Sequence, residues 1–379
     1  MFYIFFKKII LAMPPVLILT IASCNENSNS TSTSATDTTT VMYRDSIQAL
    51  KQKPSSTKPE WAKDITPEMQ VVIEKLMSYK DPALITLSAV DARKQHSPAD
   101  AAMDVIKENN IVPAPSMVDT MGKNIPVSGG NIHLRIYSPK GAGPFPVIVY
   151  YHGGGWVIAN LDTYDASARA LAEQAGAVLV SVAYRQAPEF KFPTAHNDSY
   201  AAYEWVVKNA GTINGDVKHI AVAGESAGGN LAQAVSMMAR DKHFSMPVYQ
   251  LLVYPIAGYD TTTASYQKNA TVKPLDKALM RWFFDKYLRS PADGKSPMIS
   301  LVNANLKGMP PTTIITAQYD PLQSDGELLY EKLKAAGVSV NFKNYDGVTH
   351  EFFGMSAVVP TAKDAQSFAA SELKDAFSK

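Results

Sequence analysis

Gly224-Glu225-Ser226-Ala227-Gly228 sets a serine between two glycines at the spacing Gly-x-Ser-x-Gly. That spacing suits a sharp strand-to-helix turn. The glycines remove side chains that would collide, and the serine hydroxyl is left standing at a helix N-terminus. Amide dipoles there favour developing negative charge, so the chemistry on offer is nucleophilic attack on a carbonyl. Three fixed positions match by chance in about one chain in ten of this length, so the flanks decide its weight. Residues 220–223 read as a short buried strand and 229–239 as a helix.

A second cluster, His152-Gly153-Gly154-Gly155-Trp156, follows the apolar run 147–151. Three consecutive glycines let backbone N–H groups converge on one point. Acyl transfer needs such donors, because its tetrahedral intermediate carries charge on the former carbonyl oxygen. Each donor is worth roughly 3–4 kcal/mol. A phosphate-cradling loop would want Gly-Lys-Ser or Gly-Lys-Thr after the glycines, and this stretch continues instead as Trp156-Val157-Ile158.

The elements that must carry these groups alternate. Residues 133–137 alternate in polarity as a half-buried strand does. Runs at 147–151, 177–183, 220–223, 248–254, 312–317 and 338–342 read as further strands, several of them apolar throughout. Helical patterns fill 162–175, 198–208, 229–239, 325–335 and 361–377. Strands alternating with helices imply an α/β fold whose mostly parallel sheet is covered on both faces. Two parts stand outside the alternation. Residues 41–115 read as helix with breaks, with helix starts at Thr66-Pro67-Glu68 and Ser97-Pro98-Ala99-Asp100. Residues 256–309 include an aromatic group, Trp282, Phe283, Phe284 and Tyr287, for which core packing is the simpler reading.

Four stretches resemble the hormone-sensitive-lipase type of α/β-hydrolase: His152 to Trp156, Tyr184-Arg185-Gln186-Ala187-Pro188-Glu189, Gly224 to Gly229, and Asp320-Pro321-Leu322. The likeness runs from about residue 80 to the C-terminus. It implies an α/β-hydrolase fold: a mostly parallel eight-stranded sheet flanked by helices, with a helical cap. It also implies a Ser-Asp-His triad and carboxylesterase activity with no metal and no cofactor. On this reading 116–379 form the catalytic domain, 41–115 an N-terminal helical cap segment, and the stretch near 256–309 a cap insertion.

In this fold the triad follows the chain order serine, acid, histidine. Of seven histidines only His243 and His350 follow Ser226. His243 lies past the far end of the helix that the serine opens, roughly 25 Å away at ~1.5 Å per residue. His350 remains, in a polar segment (344–351) read as a loop. The acid should sit just beyond a strand end, to hold the histidine tautomer and stabilise the imidazolium. Asp320 fits and matches the family's Asp-Pro-Leu; Asp260 is the runner-up and Asp346 the third choice. The oxyanion donors are expected to be the amides of Gly154, Gly155 and Ala227, with Gly153 able to replace one glycine. Trp156 borders that loop, and lining a substrate pocket and packing in the core are equally open to it. In the family, Tyr184 to Glu189 and Asp198 brace the glycine loop, and Glu225 is expected to hydrogen-bond behind the nucleophile. Two departures stand out. The chain has His350-Glu351-Phe352 where relatives usually have His-Gly-Phe, and Ser324 where they usually have an acid.

Composition narrows the partners. The 379 residues are 46% hydrophobic and 19% charged with net charge +1, which rules out wholesale disorder and gives no electrostatic reason for nucleic-acid binding. One cysteine excludes an intrachain disulfide and Cys-rich zinc sites. That cysteine, Cys24, ends Ile21-Ala22-Ser23-Cys24 after an apolar run preceded by Lys7 and Lys8. The layout is that of a secretory signal peptide over 1–23, and its end resembles a bacterial lipobox. Residues 24–40, rich in Asn, Ser and Thr, then read as a disordered tether. An exported lipoprotein anchored at the cell envelope is expected, touching membrane only through that anchor. The expected substrate is a small ester with a short to medium acyl chain. An acetylated polysaccharide, an amide or peptide, and a silent small-molecule receptor are the rival readings.

Overall fold

A computed structural model of the chain describes residues 50–379. The expected signal peptide, Cys24, the tether and the first residues of the 41–115 segment lie outside the described residues.

Eight strands form one sheet in the order β1-β2-β4-β3-β5-β6-β7-β8. They are β1 (Val118–Val127), β2 (Gly130–Pro139), β3 (Phe145–Tyr151), β4 (Val178–Ala183), β5 (Gly215–Glu225), β6 (Tyr249–Val253), β7 (Thr312–Tyr319) and β8 (Val340–Thr349). The β1–β2 and β2–β4 pairs are antiparallel. From β4 through β3, β5, β6 and β7 to β8 every pair is parallel. The main helices are α1 (Pro67–Ser78), α2 (Pro98–Glu108), α3 (Asp165–Ala175), α4 (Thr194–Asn209), α5 (Ala227–Asp241), α6 (Lys277–Tyr287), α7 (Gln323–Ala335) and α8 (Pro360–Phe377).

Side-chain alternation on the strands divides the core in two, because successive residues of a strand point to opposite faces. Val147, Val149 and Tyr151 of β3 and Val222 of β5 pack with Ala195 and Val206 of α4, Leu231 and Val235 of α5, and Leu329 of α7. Ile148 and Tyr150 of β3 and Ala221 and Ala223 of β5 face the other way. They pack with Leu171 of α3 and Ala365, Ala369 and Leu373 of α8. The central strands are thus apolar on both faces, as their runs imply.

One strand and the second half of another escape the sequence pattern. β1 was not expected. It is an edge strand in which most residues are exposed, so no apolar alternation marks it. β8 is the opposite edge, and the polar stretch 344–349 read as loop is its second half, paired with β7 as far as Tyr319↔Thr349. Asn344, Lys343 and Asp346 hide the strand because an edge strand need not be apolar on both faces.

Both helix starts in the N-terminal segment are capped as expected. Thr66 Oγ1 accepts from the Met69 N–H, and Ser97 and Asp100 form a reciprocal capping box. The buried residues of α1 and α2 join the same core as α3 and α8. The start of α1 also rests on the end of β8. Thr66 N–H donates to the Gly347 carbonyl at 2.9 Å, and Thr349 Oγ1 donates to Met69 Sδ at 3.7 Å. The 256–309 stretch packs into the other core through Leu279, Met280, Phe283 and Phe284 of α6. Its aromatic group is core, as the simpler reading had it. No helix among the described residues is long and apolar enough to cross a membrane.

Candidate active site

Four strand ends build the site. β3 ends at Tyr151 and releases the glycine loop, β5 ends at Glu225 before Ser226, β7 ends at Tyr319 before Asp320, and β8 ends at Thr349 before His350. All four are C-terminal ends of parallel strands, where open α/β sheets gather their functional groups.

Ser226 sits on the turn between β5 and α5 with φ +56° and ψ −117°, a conformation that costs energy for any L-residue. The surroundings hold it there. Its N–H donates to the Val253 carbonyl at 2.9 Å, and its own carbonyl accepts from Asn230 and Ile256 at 3.1 and 3.2 Å. Gly228 is required next door, because a Cβ at that position would collide with the carbonyl oxygen of Tyr151. The hydroxyl donates to His350 Nε2 at 3.0 Å. On the far side of the ring, Nδ1–H donates to Asp320 Oδ2 at 2.6 Å, and Asp320 Oδ1 is occupied by the Leu322 N–H at 2.8 Å. Serine, histidine and aspartate are all buried. The imidazole, expected in a loop, directly follows the end of β8 instead.

The two alternative acids are elsewhere engaged. Asp260 caps its own turn through Thr262 N–H and Oγ1, and Asp346 accepts from Asn344 Nδ2.

The glycine loop runs against the back of the serine turn. A Cβ on Gly153 would lie 3.1 Å from the Glu225 carbonyl oxygen. Gly154 has φ +93°, a backbone conformation that a side chain strains, and its carbonyl accepts from both Val157 and Ile158 at 3.0 and 2.9 Å. The N–H groups of Gly154 and Gly155 donate to no group among the described residues. Ala227 supplies the first amide of α5, which has no intrahelical acceptor. Phe283 of α6 packs on Gly155, so the 256–309 stretch reaches the loop.

The expected braces are present. Tyr184 Oη donates to the His152 carbonyl at 2.8 Å, Gln186 Nε2 donates to the Ile158 and Ala159 carbonyls, and Arg185 makes a two-pronged pair with Asp198. One brace was missed. Arg93 Nε donates to the Val157 carbonyl at 2.8 Å and an Nη to the Ala187 carbonyl at 2.6 Å, while the guanidinium pairs with Glu189. No sequence motif marks it, since its partners are mostly backbone. Trp156, for which a place on the substrate pocket was one expectation, lies in the core. Its ring is fully buried and stacks on Tyr287 of α6 at 4.6 Å. The backbone at Trp156 is left-handed (φ +61°).

Electrostatics fit proton transfer. Burial pushes the His350 imidazole down, but the Asp320 carboxylate outweighs it, with Glu351 and Glu225 adding to the same effect, so the group is raised above 6.5. Glu225 is buried directly before Ser226 and accepts from Tyr150 Oη at 2.5 Å and from Tyr254 Oη. Burial raises it to about 7. His152, in the glycine loop, is pushed by burial to about 4 and is neutral near pH 7.

Residues 148–354 match the family described as alpha/beta hydrolase fold. This chain belongs to the α/β-hydrolase family. Within the family it is of the hormone-sensitive-lipase type, as the sequence motifs implied. The carboxylesterase NlhH of Mycobacterium tuberculosis is 41% identical over 251 residues, 65% of this chain and 79% of the relative. The ethyl acetate hydrolase of Pseudomonas putida is 29% identical over 307 residues, 79% of this chain and 94% of the relative. Among solved structures, a hyperthermophilic esterase from Pyrobaculum calidifontis superimposes with a TM-score of 0.75 at 35% identity. The match covers 82% of this α/β-hydrolase and 98% of that chain.

Proposed function

We propose that this carboxylic ester hydrolase cleaves esters of short to medium acyl chains, with Ser226 as nucleophile, His350 as general base and acid, and Asp320 as the group that orients the histidine. The single observation that carries the reading is the continuous chain from Ser226 Oγ through His350 to Asp320, at 3.0 and 2.6 Å.

In the first half-reaction the Ser226 proton passes to His350 Nε2 as the serine oxygen bonds to the ester carbonyl carbon. The carbonyl oxygen takes up negative charge and is met by the amides of Gly154, Gly155 and Ala227. As the carbon–oxygen bond to the alcohol breaks, Nε2 returns its proton to the departing alkoxide oxygen and an acyl-serine remains. In the second half, water gives a proton to Nε2 and its oxygen bonds to the acyl carbon. The serine oxygen leaves with that proton, releasing the carboxylic acid. Asp320 stays ionised throughout and stabilises the imidazolium.

The name of the Pseudomonas relative, an ethyl acetate hydrolase, supports a short acyl chain. The leader read over residues 1–23 supports a reaction outside the cytoplasm, at the cell envelope, where acetyl groups on polysaccharide are an alternative substrate. The test is turnover of p-nitrophenyl acetate, butyrate and octanoate by the chain from about residue 40 onward. Butyrate or acetate should be fastest, and Ser226→Ala should abolish turnover by roughly 10⁴-fold or more with the thermal melt nearly unchanged. No hydrolysis of any of the three esters would favour a receptor.

A further inference from the structure

Glu351 occupies the position directly after the histidine, with φ +70° and ψ +4°. This left-handed conformation is uncommon for a residue with a side chain. Its carboxylate is turned back onto the site. Oε1 lies 3.7 Å from His350 Nε2, the nitrogen that also faces Ser226, and accepts a hydrogen bond from Tyr164 Oη at 2.5 Å. The Tyr164 hydroxyl is itself wedged against the glycine loop, where a Cβ on Gly153 would collide with it. One tyrosine thus ties the histidine turn to the loop that borders the nucleophile. Among the described residues no lysine or arginine pairs with Glu351, and its Oε2 accepts no hydrogen bond from them.

We propose that Glu351 is a positioning residue of the site: a second carboxylate that, held by Tyr164, faces the Nε2 edge of His350 and favours the imidazolium formed when Ser226 gives up its proton. The proposal rests on the reading of His350 as the general base. No proton passes to Glu351; its part is charge. Asp320 faces one nitrogen of the ring and Glu351 the other. The remaining groups around the imidazole are the Ser226 hydroxyl, the Tyr254 ring at 4.5 Å between centroids, and Glu225 behind the Tyr150 and Tyr254 hydroxyls. None of these carries positive charge. A carboxylate this close favours the protonated ring, so more acidic solutions leave less neutral imidazole to act as base. The residue therefore strengthens the base and moves the acid limb of the rate profile upward in pH.

The test is the pH dependence of kcat/KM on p-nitrophenyl butyrate for the wild type, Glu351→Gln and Glu351→Gly. The glutamine keeps the volume and an acceptor for Tyr164 but removes the charge. Its acid limb should move to lower pH by about half a unit to one unit, as should that of the glycine variant, which also relieves the left-handed backbone and should melt no lower than wild type. Variants that lose activity at every pH with the limb where it was would make Glu351 a structural residue and overturn the proposal. So would variants that match the wild type throughout. A wild type with no esterase activity would overturn the underlying reading of the site and the proposal with it; only in that case would both fail together.

Discussion

His350 Nδ1 lies 2.6 Å from Asp320 Oδ2, and neither side chain has appreciable contact with solvent. The two residues directly follow adjacent parallel strands, β8 and β7. Their meeting is therefore a consequence of sheet order: two neighbouring strands pointing the same way must deliver their next residues to the same edge. The Leu322 N–H holds the other carboxylate oxygen, which leaves the Asp320 carboxylate no freedom to turn away from the ring.

That arrangement separates Asp320 from its rival for the acid. Asp320→Asn should lower kcat by about 10⁴-fold, since an amide next to Nδ1 favours the wrong tautomer and cannot stabilise the imidazolium. Asp260→Asn should leave kcat within about twofold, because Asp260 is spent on a turn with Thr262 and surface changes of this kind are close to neutral. Steady-state kinetics on one aryl ester compare the two directly. A larger loss at Asp260 would reverse the assignment.

The glycine loop makes a second, independent prediction. At Gly154 a side chain would strain a backbone with φ +93° and run into the Ile158 carbonyl. Gly154→Ala should shift the loop and misplace its amides, so kcat should fall by roughly 10²-fold or more while KM changes little. Fluorescence-detected melting of the same variant reports the backbone strain separately. If kcat were unchanged in a folded variant, the donors would have to be sought elsewhere.

How far the sequence foretells this site depends on how local each signal is. Ser226 and the glycine loop are legible because a tight turn and a converging set of amides demand glycines at fixed spacing. His350 follows from chain order and from the distance of His243. Asp320 needed the resemblance, since spacing alone left Asp260 and Asp346 open. Arg93 and Tyr164 were invisible, because their partners are backbone carbonyls and side chains 96 and 187 residues away, and neither kind of contact leaves a pattern along the chain. Strand β1 and the second half of β8 were missed for a related reason: each has a single neighbour in the sheet, so the alternation that marks a buried strand is diluted by solvent-facing polar residues. Trp156 illustrates a different limit: adjacency in sequence to the loop left a pocket wall and the core equally open, and the structure buries the ring in the core.

Glu225 allows a prediction about stability rather than rate. Burial raises its carboxyl from 4.5 in the unfolded chain to about 7 in the folded one. Between those values the folded protein keeps a proton that the unfolded chain has released, so its contribution to stability is whole below about pH 4.5 and is lost as pH rises to about 7. Two histidines in the core, His152 and His196, are pushed by burial to about 4 and act in the opposite sense over part of this range, so the informative quantity is a difference between proteins. Glu225→Gln removes the titration, keeps the volume and still offers an acceptor to Tyr150 or Tyr254. The unfolding free energy of the variant minus that of the wild type, from urea titrations, should therefore rise between about pH 4.5 and pH 7 and level off above it. A difference that is flat across that range would mean that Glu225 keeps an ordinary carboxylate pKa in the fold, and that the two tyrosine hydroxyls compensate its burial in full.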